Sequence, residues 1–133
     1  MNDESRLLSK DRVTSEERKR DLRARTKAFA LAIVRLYVSL PKTTEAQVLG
    51  RQMLRSGTSP GAHYREATRA RSTAEFVSKI EGALQELEET VYWLELLIEA
   101  GIIDESAIVG LLQEAEELTS MLVSSAKTAK AHR

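Results

Sequence analysis

The chain has no cysteine and only two histidines among its 133 residues. That excludes a disulfide framework, a thiol nucleophile and any thiolate metal site, and it leaves little imidazole for catalysis or ligation. Two prolines and six glycines are too few to cut the chain into many short elements, so long helices are expected. Long apolar runs are also missing. The longest, Ala28 to Leu40, is broken by Arg35 and Ser39 and falls short of the roughly 20 residues a membrane span needs. The opening residues MNDESRLLSKDR carry charges throughout and no apolar signal region. A soluble, cytoplasmic protein with no membrane partner is expected.

What is present is charge, unevenly placed. The totals balance at 20 basic and 20 acidic residues, yet residues 1–72 hold 16 Lys+Arg against 8 Asp+Glu, and residues 73–133 hold 4 against 12. Two explanations stand side by side. Basic and acidic helices can lie next to each other with complementary surfaces, or a basic end or rim can meet phosphates.

Apolar periodicity between capping signals predicts four helices in a single bundle domain over residues 14–128, between a polar, disordered tail at 1–13 and a frayed end at 129–133. Thr14 with Glu17 forms a capping box for a first helix that Pro41 stops after Leu40. Its first turns are too charged for core; beyond them Phe29, Ile33, Leu36 and Leu40 make one stripe. Leu31, Val34 and Val38 make a second. A second helix is expected from Thr44, with Gln47 at the capping-box position and Leu49, Met53 and Leu54 as apolar contacts. Gly50, Gly57 and Gly61 lie near one face, which suggests close approach to a neighbour, since each costs about 1 kcal/mol relative to Ala. Pro60 implies a kink in one long helix, or else a new helix beginning at Ser59-Pro60.

The third helix is capped by Ser72 with Glu75 and closed by Gly101. Val77, Leu84, Val91 and Ile98 repeat every seven residues with Ile80, Leu87 and Leu94 between them, a bundle seam. Tyr92, Trp93 and Leu96 fall away from that seam. A fourth helix from Asp104 carries Ile108, Leu111, Ala115, Leu118 and Leu122 as its inner stripe. Short connections make neighbours antiparallel. The fold class is therefore an all-α, antiparallel up-down four-helix bundle. Helices that are apolar on two sides need two burial partners, which predicts self-assembly through Leu31, Val34, Val38, Tyr92, Trp93 and Leu96.

Val48-Leu49-Gly50, Leu54-Arg55-Ser56, Gly61-Ala62, Glu66-Ala67, Ala74-Glu75-Phe76 and Tyr92-Trp93-Leu94 together resemble the four-helix-bundle proteins of 23S ribosomal RNA intervening sequences. The likeness runs from about Leu36 to Ala100. It implies a homopentameric ring and kinship with accessory proteins of diversity-generating retroelements, which bind reverse transcriptase and nucleic acid. Pro60 stands where that family usually has an aliphatic residue, and His63 where it usually has Asn.

Catalytic chemistry finds no support in the residues. A di-iron bundle needs Glu-x-x-His pairs, and none is present. The stripe Glu81, Glu88, Glu95 reads as a solvated or salt-bridged face. Ser56, Thr58 and Ser59 have no base to activate them, and no phosphate-cradling glycine loop occurs. The expectation is a protein that is not an enzyme and uses no cofactor or metal.

Binding is the remaining class. Arg20, Arg23 and Lys27 share a face of the first helix; Arg51 and Arg55 are one turn apart, as are Arg65 and Arg69. Such clusters suit a phosphodiester backbone, RNA or DNA, unless Arg55 and Arg65 pair with Glu66 or with glutamates of the third helix. Tyr92 and Trp93 either stack bases or bury against a neighbouring subunit. The leading expectation is a homo-oligomeric scaffold for nucleic acid or for a nucleic-acid enzyme such as a reverse transcriptase. The competing one is a protein–protein adaptor without nucleic-acid affinity.

Overall fold

Three of the four helices begin where a side-chain oxygen takes an orphan backbone N–H. The structure, a computed structural model, describes residues 14–132; the tail expected at 1–13 lies outside the described residues. Helix α1 spans Ser15–Ser39 behind the expected capping box: Glu17 N–H donates to Thr14 Oγ1 at 3.1 Å, and Thr14 N–H to Glu17 Oε2 at 3.3 Å. Helix α2 spans Thr44–Ala67, and its cap is Thr43, not Thr44, because the Thr43 hydroxyl accepts from Ala46 N–H. Gln47 is thereby free to bond the Pro41 carbonyl and to sit 3.1 Å from the Tyr37 hydroxyl, fastening the turn.

Helix α3 spans Thr73–Glu99 with Ser72 accepting from Glu75 N–H, while the Glu75 carboxylate accepts from Arg71 N–H. It ends as expected at Gly101, φ 72°. Ile102 N–H reaches the Leu97 carbonyl and Gly101 N–H the Ile98 carbonyl, the paired bonds of a left-handed glycine cap. Asp104 caps a single 3-10 turn, Glu105–Ala107, rather than the last helix. Helix α4 starts later, at Val109, without a side-chain cap, and continues through 129–131 to Ala131, residues expected to fray.

Cross-helix contacts run in opposite directions along the chain, which makes neighbours antiparallel. Positions 50, 57 and 61 of α2 face Leu40, Ile33 and Thr26 of α1 in descending order. Ser56 and His63 of α2 meet Thr90 and Gly82 of α3 in the same way. All regular structure among the described residues is helical. The bundle is most extensively joined between α2 and α3 and least between α1 and α4. None of the helices is long and apolar enough to cross a membrane.

The glycine stripe has the expected cause. A Cβ at Gly57 would stand 2.7 Å from Ile33 Cγ1, and one at Gly50 would stand 2.6 Å from Leu40 Cδ1. Helix α2 also runs unbroken through the buried Pro60. Thr58 and Ser59 hydroxyls donate back to the Leu54 and Arg55 carbonyls at 2.8 and 2.6 Å, side-chain bonding of a kind that loosens a helical turn.

The core departs from the expected stripes in two places. In α1 it reaches down into the charged turns, where Leu22 and Thr26 are fully buried along with Phe29 and Ile33. In α3 the buried column is Ile80, Ala83, Leu87, Thr90, Leu94 and Leu97. Leu84, Val91 and Ile98 of the expected seam stand half-buried on its flank. Small residues take the centre because α2 packs close there. Thr90 Oγ1 lies 3.0 Å from Ser56 Oγ in the buried interface, and each hydroxyl also has a carbonyl of its own helix within reach.

Candidate nucleic-acid interface

An up-down bundle puts the start of α1, the end of α2, the start of α3 and the end of α4 at one end of the molecule. Arg18, Lys19, Arg20, Arg23, Arg65 and Arg69 gather there, whereas Arg35, Lys42, Arg51 and Arg55 lie toward the other end. Arg20 and Arg23 of α1 meet Arg65 of α2 around a cleft of about 300 Å³, with Lys19, Glu16 and Thr68 completing its walls and Tyr64 its floor. Arg20 and Arg23 are exposed and Arg65 is half-buried. None of these three guanidinium groups is ion-paired within the described residues. Tyr64 is 2% exposed, and burial, with the carboxylate of Glu16 second, raises its phenol above its ordinary value. It therefore stays a neutral hydroxyl-bearing wall at physiological pH. A second, smaller cleft of about 180 Å³ backs onto the same tyrosine, between Arg18, Lys19, Phe76 and the end of α4.

The remaining sequence-derived cations are placed differently. Arg69 lies exposed in the turn after α2, at the same end as the cleft. Lys27 is exposed farther along α1, outside the cleft, and Arg51 is exposed on the opposite half of α2. Arg55 is committed to α3, with Glu86 at 3.6 Å and Glu89 at 3.2 Å, the ion-pairing alternative raised for it. Glu66 pairs with Lys79 at 2.8 Å and not with Arg65. Lys19 and Tyr64 were not singled out in the sequence. The run Arg18-Lys19-Arg20 carried a signal for the first; nothing local marked the second.

Arg25, within the charged start of α1, is structural. It forks onto Glu114 of α4, with Nε to Oε2 at 3.0 Å, and lies near Asp21 and Glu117. The hydrogen bond it donates to the Glu114 carboxylate raises its guanidinium further above an already high value. Such forked pairs have geometric specificity that a point charge lacks.

Of the residues expected at a subunit interface, Leu31, Val34, Val38 and Tyr92 are exposed, Val38 at 68%. Trp93 packs on the core of its own chain and meets Tyr92 edge-on at 5.1 Å between ring centroids. Leu96 is half-buried. No group of three or more His, Asp or Glu side chains that could hold a metal ion occurs among the described residues.

Unpaired guanidinium groups around a cleft at the end of an antiparallel four-helix bundle are suited to oxyanions, since the planar fork takes two phosphate oxygens at once. The fold thus defines a helical-bundle protein with a cationic end. The chain belongs to the 23S rRNA-intervening sequence protein family, whose model matches residues 18–124. It is also similar to a crystal structure from Bacteroides thetaiotaomicron, a protein with unknown function from the S23 ribosomal protein family. The two are 38% identical with a TM-score of 0.78, covering 83% of this chain and 98% of that one. No curated protein matches it.

Proposed function

We propose that the protein is a cytoplasmic homo-oligomeric scaffold, without catalysis of its own, that holds RNA or DNA through phosphates. In that role it either carries nucleic acid directly or presents it to a nucleic-acid enzyme such as a reverse transcriptase. The observation that carries this reading is the cleft in which Arg20, Arg23 and Arg65 converge from two helices, none of them ion-paired among the described residues. The one carboxylate in its walls, Glu16, lies 3.6 Å from Lys19. The pentameric ring implied by the family resemblance would repeat the cleft around one rim. Repetition turns a modest local charge into a continuous cationic collar, and each phosphate neutralised releases condensed counterions.

Fluorescence anisotropy with labelled single-stranded RNA and DNA over a salt series tests it. Binding without sequence preference, weakening steeply as salt rises, is expected. Joint Arg20→Gln, Arg23→Gln and Arg65→Gln replacement should weaken it at least tenfold while helicity is retained. An intact protein that binds neither polymer at low salt would overturn the reading and favour the protein–protein adaptor.

A further inference from the structure

We infer that an unpaired nucleotide docks at the end of the bundle, its phosphate on the guanidinium groups of the cleft and its base in the smaller pocket beside it. Such a site presupposes the phosphate-binding reading above and selects the form of nucleic acid it takes, a strand with unpaired bases. The two cavities adjoin, because Lys19 and Tyr64 line both. The cleft of about 300 Å³ runs between α1 and α2 and carries Arg20, Arg23 and Arg65. The pocket of about 180 Å³ lies where the ends of α1, α2, α3 and α4 meet, and it draws side chains from all four.

The pocket suits a flat ring rather than a phosphate. Phe76, half-buried at the start of α3, offers a ring to stack on, and Tyr64, 2% exposed, closes the floor. Arg18, half-buried, also lines the pocket, and a guanidinium plane stacks on aromatic faces. On the α4 side the Ser125 hydroxyl donates to the Met121 carbonyl at 3.1 Å. Its lone pairs are left to accept from the N–H groups of a base. A volume of about 180 Å³ is below the roughly 300 Å³ at which pockets for drug-sized ligands begin. It holds one ring system and leaves sugar and phosphate outside. Across Lys19 and Tyr64, the groups that meet that phosphate are the unpaired guanidiniums of the cleft. A base within a duplex would first have to leave its stack and its partner, a cost that a single strand does not bear. Every base has a π-face, so stacking of this kind tolerates any sequence, in keeping with the absence of sequence preference expected above.

Abasic strands separate the base from the phosphate. An end-labelled single-stranded DNA octamer and the same octamer with every base removed carry equal backbone charge. Fluorescence anisotropy should show the intact octamer bound about tenfold more tightly, the gain from stacking one base on an aromatic ring. Both should lose affinity with salt at the same slope, because they neutralise the same phosphates. Phe76→Ala should bring the intact octamer down to the affinity of the abasic one. Ala129→Leu should do the same by filling the pocket from the half-buried wall of α4, and it carries the test if dichroism shows Phe76→Ala unfolded. Arg65→Gln should weaken both strands alike. Equal binding of intact and abasic strands would overturn the base pocket and leave the phosphate reading standing. A preference for the intact strand that the folded pocket variants retain would do the same. Binding of neither strand at low salt would overturn both.

Discussion

Gly57 shows how a single missing side chain sets a distance. Its absent Cβ leaves room for Ile33, which would otherwise stand 2.7 Å from it at Cγ1 and 2.8 Å at Cγ2. Both are branches at the base of a stiff side chain, so the neighbour has little freedom to move aside. Gly57→Ala gains about 1 kcal/mol in helix propensity but overpacks the interface at about 1–3 kcal/mol. A net loss of about 1 kcal/mol is expected in urea unfolding. In an Ile33→Ala background the clash is largely gone, and the same substitution should become stabilising. An unchanged or raised midpoint for Gly57→Ala alone would show that α1 and α2 do not approach as described. The glycine stripe was legible in the sequence because three glycines in one helix are costly without such a reason. The burial of Thr90 was not legible. A threonine in an acidic stretch is ordinarily solvent-facing; buried, its hydroxyl is satisfied by the Glu86 carbonyl of its own helix and the Ser56 hydroxyl of another.

At the scale of elements, ion pairs tie helices that the core already brings together. Lys79 of α3 and Glu66 of α2 meet at 2.8 Å on the surface. Their hydrogen bond holds the Glu66 carboxyl below its ordinary value and the Lys79 ammonium above its own. The signs follow from linkage. A depressed carboxyl stabilises the fold above the usual carboxylate range, and that contribution disappears as pH falls through its lowered value. A raised ammonium stabilises below the usual lysine range and loses its effect as pH rises through the raised value. Lys79→Met should therefore shrink the fall in melting temperature between neutral pH and acid pH, measured by dichroism at low salt. A fall as large as that of the native protein would show that solvent screening leaves the pair without effect, the common outcome for exposed pairs. The helices themselves were legible from caps and periodicity. The seam of α3 was legible only within one helical flank, because two aliphatic columns lay side by side and only packing selected between them.

For the whole molecule, the question is which cations remain available. Arg55 and Arg65 look equivalent in the sequence, one helix turn from Arg51 and Arg69 respectively. In the fold, Arg55 answers to Glu86 and Glu89, whereas Arg65 lines the basic cleft. Arg65→Gln should weaken nucleic-acid binding and reduce the salt slope by about one counterion. Arg55→Gln should leave affinity and slope unchanged and cost about 1 kcal/mol of stability, since the guanidinium and Glu89 are exposed and screened while Glu86, 16% exposed, loses its counter-charge. Equal effects of the two substitutions on binding would refute the assignment of the cleft. The same logic separates Lys27 from Arg20 and Arg23. It shares their helix face but lies outside the cleft, one turn from the exposed Leu31.

The helix count, their order, the antiparallel wiring and the glycine contact followed from the sequence alone. They depend on interactions between residues a few positions apart, together with a few proline and glycine stops. Tertiary structure decided the rest. It buried Leu22 and Thr26 within a charged turn, turned Trp93 onto its own core, paired Arg55 with α3 and left Arg65 free of it. It also left Leu84 and Val91 lining a groove instead of a seam. Each of these depends on which helix lies opposite, at what distance and in what rotation. Residues far apart in the chain set those quantities jointly through packing, and no local pattern contains them.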